Sequence, residues 1–183
     1  MTTVLDIRKR QAKWDLRMLD KASFISQWSK DPSTKCGAVI VRDLNVCIQE
    51  GYNGYPPGVD DDGTLHVREQ KYSRIIHAEV NAIVLAKKDL TGCTLYVFPL
   101  PPCDRCAGVI IQAGITRVVS VIPQDEERAE RWSKVNAVAM DMFNKAGVEF
   151  VAYPESFVPK YDFPKTDVTL EWENLRLFGK RTS

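Results

Sequence analysis

Across residues 13–28, Trp14, Leu16, Leu19, Ala22, Phe24, Ile25 and Trp28 recur among charged neighbours at nearly helical spacing. The pattern predicts an amphipathic first helix, which Asp31-Pro32 ends. Residues 36–41 (CGAVIV) form a short, β-branched, almost wholly apolar run, the composition of a strand buried on both faces. Residues 45–51 (NVCIQEG) read as its hairpin partner, joined through Arg42-Asp43-Leu44-Asn45. Residues 51–58 (GYNGYPPG) break regular structure, and residues 59–73 are polar and charged, an exposed insertion with room for a short helix. In residues 75–88, Ile76, Val80, Ile83 and Val84 offer one helix face, which puts His77 and Glu79 in the first turn. Beyond them come a strand at 94–98 (TLYVF), prolines at 99, 101 and 102, and a helix at 107–113 stopping near Gly114. A strand at 117–122, a long helix at 126–146 ending near Gly147 and a strand at 148–152 complete the pattern.

The alternation of strand and helix in the later part predicts parallel crossovers, with helices on both faces of a sheet: an α/β fold in three layers, α/β/α. At 183 residues the chain amounts to about one domain, able to bury roughly 70% of its unfolded surface. The core is expected at about 13–152 and a C-terminal extension at 154–183, within one domain spanning 1–183.

Composition narrows the class of partner. Twenty-five basic and 24 acidic residues leave a net charge of +1, which argues against a globally basic nucleic-acid surface and for a small ligand. Five cysteines at uneven spacing are a poor disulfide framework, and the first 21 residues carry too many charges for a signal-peptide apolar core. A cytoplasmic protein is the natural expectation. No apolar run approaches the ~20 residues of a membrane-spanning helix, so no membrane partner is expected.

The chemistry concentrates in His77-Ala78-Glu79 and Pro102-Cys103-Asp104-Arg105-Cys106. One imidazole and two thiols suit tetrahedral zinc and leave its fourth position to water, as catalytic zinc sites do. Cys103 and Cys106, at i and i+3, share a helix face, and helix N-termini favour thiolate over thiol. Such a centre lowers its water's pKa from 15.7 to about 7. Glu79, two residues beyond His77, points in a neighbouring direction and is placed to carry protons without ligating. The alternative is a structural zinc with Cys36, Cys47, Cys93 or His66 as fourth ligand. The common structural pattern pairs its ligands as two short-spaced couples, and here the first couple is missing. Asp60, Asp61 and Asp62 read either as a magnesium site beside phosphates or as a solvated loop, the stronger reading. Lys35, Arg74 and Arg105 are the cations near the motifs that could meet a phosphate.

H-x-E followed by P-C-x-x-C is the signature of zinc nucleobase deaminases. Over about residues 22–152 the chain resembles the deoxycytidylate deaminase family. The resemblance rests on Ser29-Lys30-Asp31-Pro32, on Gly51-Tyr52-Asn53-Gly54 with Pro57-Gly58, and on His77-Ala78-Glu79 with Asn81-Ala82-Ile83. It extends through Gly92-Cys93 with Tyr96-Val97 to Ile110-Ile111-Gln112-Ala113-Gly114-Ile115. It implies a central mixed five-stranded sheet between helices and hydrolysis of dCMP to dUMP and ammonia, supplying dUMP for thymidylate synthesis. It further implies one zinc per subunit on His77, Cys103 and Cys106, Glu79 as proton shuttle, and a homohexamer. Activation by dCTP and inhibition by dTTP are implied at a site including Gly51, Tyr52, Asn53 and Gly54, with Mg2+ accompanying the triphosphate. Asn53 has a second reading, contact with the substrate sugar, beside Ala78 and Lys35 as further substrate residues.

Two departures stand out. Many relatives stack a tyrosine on the base from the loop after residues 117–122, where this chain has Pro123-Gln124-Asp125-Glu126-Glu127 and no aromatic before Trp132. Some relatives hold a second zinc; only His66 is spare here, so one zinc is expected. The rival functions are a deaminase of single-stranded nucleic acid, which needs a basic track with stacking aromatics, and a non-enzymatic nucleotide sensor, which has no need of Glu79.

Overall fold

The computed structural model describes residues 4–60, 62–159 and 161. Five strands, β1 (Gly37–Arg42), β2 (Val46–Tyr52), β3 (Thr94–Phe98), β4 (Arg117–Ile122) and β5 (Glu149–Pro154), form one sheet in the order β2-β1-β3-β4-β5. β1 pairs antiparallel with β2 and with β3, while β3, β4 and β5 run parallel. The hairpin and the parallel crossovers are those the sequence pattern implies. Five helices are described: α1 (Val4–Ser26), α2 (Arg68–Arg74), α3 (Ala78–Ala86), α4 (Asp104–Gln112) and α5 (Glu126–Ala146).

Alternation along the strands sorts the core into two layers. Ala38, Ile40, Leu95, Val97 and Val118 face α3, α4 and α5, packing on Ala82, Ala107, Ile110 and Phe143. Val39, Val41, Tyr96, Phe98, Val119 and Val121 face the other way, onto Met18, Leu19 and Ala22 of α1. The sheet is thus covered on both faces, and the three-layer expectation holds. Gly114 and Gly147, both at positive φ, follow α4 and α5 as left-handed stops.

Three expectations need correction. α1 begins at Val4 rather than at residue 13, and its buried face carries Asp15 as well as Met18, Leu19, Ala22 and Ile25. Phe24 and Trp28, assigned to the apolar face, lie at the surface in edge-to-face contact with each other and with Tyr161 and Tyr52. α3 starts at Ala78 and buries Ala78, Ala82 and Ala86, while Val84 is exposed, because only small residues fit so close to β2. The short helix allowed for in the insertion at 59–73 is α2, preceded by a 3-10 turn (Thr64–His66), but the insertion is not wholly exposed: Thr64, Leu65 and Lys71 are buried. Residues 162–183 of the expected extension lie outside the described residues.

Asp15 shows how α1 is locked to the sheet. Its carboxylate, 1% exposed, takes both outer guanidinium nitrogens of Arg117 at 2.8 Å, the Tyr96 and Tyr153 hydroxyls at 2.9 Å and Gln11 Nε2 at 2.9 Å. Burial pushes this carboxyl up, but the bonds from Arg117 and Gln11 and the charge of Arg117 outweigh it and hold it below its ordinary value. A depressed carboxyl contributes stability above its unfolded pKa and loses it as pH falls through the folded one. Asp15→Ala is therefore expected to cost about 3 kcal/mol at pH 7, lowering the Tm by roughly 6–12 °C. The difference from wild type should shrink below about pH 4; an equal difference at pH 3 and pH 7 would refute this.

Candidate active site

Two helix N-termini meet at one edge of the inner layer. His77 caps α3 in extended backbone, outside rather than inside the first turn, and Glu79 follows in that turn. Cys103 caps α4 in the same manner, with Cys106 in its first turn. His77 Nδ1 lies 3.3 Å from Cys106 Sγ and 3.6 Å from Cys103 Sγ. Nitrogen and sulfur bound tetrahedrally at about 2.1 and 2.3 Å sit about 3.6 Å apart, so the spacing fits a zinc between them. All three ligand atoms fall within 4.8 Å of one another, and among the described residues no fourth His, Cys, Asp or Glu joins the group. Cys93 is buried in the core and Cys47 is exposed beside Lys21, so neither closes the site. His66 is exposed.

The two thiols are shifted in opposite directions. A hydrogen bond from Cys106, opposed by burial and helped by His77, holds the Cys103 thiol down at about 4. The same bond, with burial, raises Cys106. Glu79 is 5% exposed. Burial holds its carboxyl above the ordinary range against the pull of His77, the direction that suits a group passing protons near neutrality.

The segment carrying His77 is anchored by Gly51-Tyr52-Asn53-Gly54. A Cβ on Gly51 would lie 2.5 Å from both Ala78 O and Ala82 N, so glycine lets the end of β2 press against α3. Asn81 Nδ2 donates to Tyr52 O at 2.8 Å, and Gly54 and Ile76 exchange backbone bonds of 3.1 and 2.9 Å immediately before His77. Asn53 Oδ1 accepts from Cys36 N at 2.7 Å, and its Nδ2 donates to Thr34 O at 2.9 Å and Asp31 Oδ2 at 3.3 Å. Its amide hydrogens are therefore spoken for, and one lone pair remains for a ligand.

A pocket of about 80 Å³ opens on the donors, lined by His77, Ala78, Glu79, Cys103, Asn53 and Tyr72 among others. A larger cleft of about 900 Å³ adjoins it, and Ser33, Thr34, Lys71 and Tyr72 line both. Lys35 lines the cleft but not the inner pocket; Arg74 and Arg105 line neither. Asp125, from the loop that lacks a tyrosine, also lines the cleft. The side chain of Trp132 and all of Asp61 lie outside the described residues, and Asp60 and Asp62 gather no third ligand among those described. The sequence reading did not single out Lys71 and Tyr72, whose signal was their place six and five residues before His77.

The family model for the cytidine and deoxycytidylate deaminase zinc-binding region matches residues 12–122. The chain belongs to that deaminase family. An uncharacterized deaminase from the luxG 3' region of Aliivibrio fischeri is 45% identical over 143 residues, 78% of this chain and 95% of that protein. The Homo sapiens deoxycytidylate deaminase is 37% identical over 155 residues, 81% of this chain and 82% of that one. A cyanophage S-TIM5 dCMP deaminase in apo form has the same fold, with a TM-score of 0.58 at 23% identity over 77% of this chain and 98% of that one. The deaminase family's zinc region takes in His77, Glu79, Cys103 and Cys106.

Two substitutions test the assembly. Cys103→Ala should reduce bound zinc, measured by elemental analysis, from one per subunit to a small fraction, whereas Cys93→Ala and Cys47→Ala should keep it; zinc loss in either control would mean a closed site. Gly51→Ala should cost about 1–3 kcal/mol through the clash with α3. It should also weaken zinc retention, and unchanged Tm and zinc content would refute the docking role.

Proposed function

We propose that this chain deaminates dCMP to dUMP and ammonia, with the domain organised as one unit over 1–183. The observation that carries the proposal is a buried carboxylate, Glu79, beside a three-ligand site whose fourth position no described residue fills. The 37% identity to a deoxycytidylate deaminase over most of both chains selects the base and the monophosphate.

His77, Cys103 and Cys106 hold the zinc. Zinc in such a site supplies an acidified water at neutral pH. Glu79 accepts the proton of the attacking water and delivers it to N3 of the cytosine ring as the oxygen bonds to C4. It then carries the second proton to the exocyclic amine, the C4–N bond breaks and ammonia leaves. Ala78 and Asn53 line the inner pocket, Asn53 with one lone pair remaining, and Lys35 lines the cleft. Tyr72, which lines the inner pocket, is the aromatic available where the loop after β4 has none.

The family resemblance supports the finer parts of this reading. They are activation by dCTP and inhibition by dTTP at residues 51–54, with Mg2+ on the triphosphate, in a cytoplasmic homohexamer that uses dCMP and not nucleic acid. Among the described residues no helix is long and apolar enough to cross a membrane.

The test is ammonia release from dCMP, CMP, dCTP and a cytosine-containing oligonucleotide, with and without the two effectors. Turnover of dCMP above the others is expected, and Glu79→Ala should lower its kcat by about 10²–10⁴-fold while keeping zinc. Ammonia from the oligonucleotide alone would overturn the substrate assignment, and zinc loss in Glu79→Ala would make Glu79 a ligand.

A further inference from the structure

Lys71 is a buried cation that the chemistry above leaves unused. It sits in α2, inside the insertion that reads as a polar surface loop, yet its side chain is only 6% exposed. A buried ammonium is costly unless paired. Lys71 Nζ meets Asp31 Oδ1 at 3.0 Å and Ser33 Oγ at 3.0 Å. Asp31 is itself fixed, its Oδ1 accepting the Ser33 and Thr34 backbone amides at 2.8 and 3.2 Å and its Oδ2 accepting Asn53 Nδ2 at 3.3 Å. An ammonium has three donors. Two are used, and the third has no hydrogen-bond acceptor among the described residues; the Tyr72 ring lies 5.5 Å away.

Its position gives that third donor a task. The inner pocket, at about 80 Å³, falls below the roughly 300–1,000 Å³ typical of small-molecule sites. A nucleotide whose base reaches the zinc donors must extend its sugar and phosphate into the adjoining 900 Å³ cleft. Apart from His77, Lys71 is the basic residue among those lining the inner pocket, and it also lines the cleft, so it stands on the boundary that the substrate crosses. Lys35 and Arg68 line the cleft but not the inner pocket, as do Asp125 and Glu155.

We propose that Lys71, held in place by Asp31 and Ser33, donates its third N–H to the 5'-phosphate and makes the site select a nucleoside monophosphate over the free nucleoside. The inference rests on the dCMP reading. The pair with Asp31 neutralises most of the long-range field of Lys71, and Asp125 and Glu155 balance Lys35 and Arg68 in the cleft, so the contribution of Lys71 is a fixed, short-range donor. Positioning without net charge also fits a site that must release a product carrying the same phosphate.

The test compares kcat/KM for dCMP and for deoxycytidine, the latter at high enzyme concentration, in wild type, Lys71→Gln and Lys71→Arg. Lys71→Gln should lower kcat/KM on dCMP by about 10- to 100-fold, the loss expected for one charge-assisted hydrogen bond, and leave deoxycytidine within about twofold. Lys71→Arg keeps the charge but displaces the donor, and should shift the ratio by several-fold in the same direction; it carries the test if the glutamine variant does not fold. Equal losses on both substrates would make Lys71 a purely structural residue, and an unchanged ratio in either folded variant would likewise overturn the proposal. Failure of the wild type to turn over dCMP would be read separately, as failure of the substrate assignment and of this inference with it.

Discussion

The close docking of the end of β2 on the start of α3 is the constraint from which the site follows. Gly51 brings the two backbones into contact, the Gly54–Ile76 bridge fixes the residue before His77, and Asn81 ties the first turns of α3 back to Tyr52. Loosening any of these would move His77 and Glu79 relative to the cysteines on α4, and a metal donor set tolerates little displacement. Asn53 extends the same network to residues 31–36, so the strand end also shapes the mouth of the pocket.

Electrostatics then does two separate things with similar groups. At Asp15 a carboxylate is surrounded by donors and kept charged, which fastens α1 to the sheet on the face away from the site. At Glu79 burial dominates, and the carboxyl is raised toward the range where it can give and take protons. The difference is the number of donors: Asp15 collects five side-chain hydrogen bonds, whereas Glu79 is left facing a pocket.

Much of this was legible in the chain. The β-branched runs at 36–41, 94–98 and 117–122 announced buried strands because a strand covered on both faces shows no alternation, and His77, Glu79, Cys103 and Cys106 were legible because their spacing is dictated by metal geometry. What escaped had physical causes. Asp15 breaks the apolar stripe of α1, and no local rule signals that Arg117, a hundred residues away, will pair with it. Lys71 looked solvated because its neighbours in sequence are polar; its burial comes from Asp31 and Ser33, supplied by another part of the chain. The alanine face of α3 was passed over for its larger apolar residues, since close packing selects small side chains that a hydrophobicity pattern underweights.

An open zinc site of one imidazole and two thiolates is what X-ray absorption at the zinc edge on the purified protein measures. Two sulfur scatterers are expected at about 2.3 Å and two nitrogen or oxygen scatterers at about 2.0–2.1 Å, one of them exchangeable water. A third sulfur or a second imidazole would make the centre closed and structural, and would contradict it.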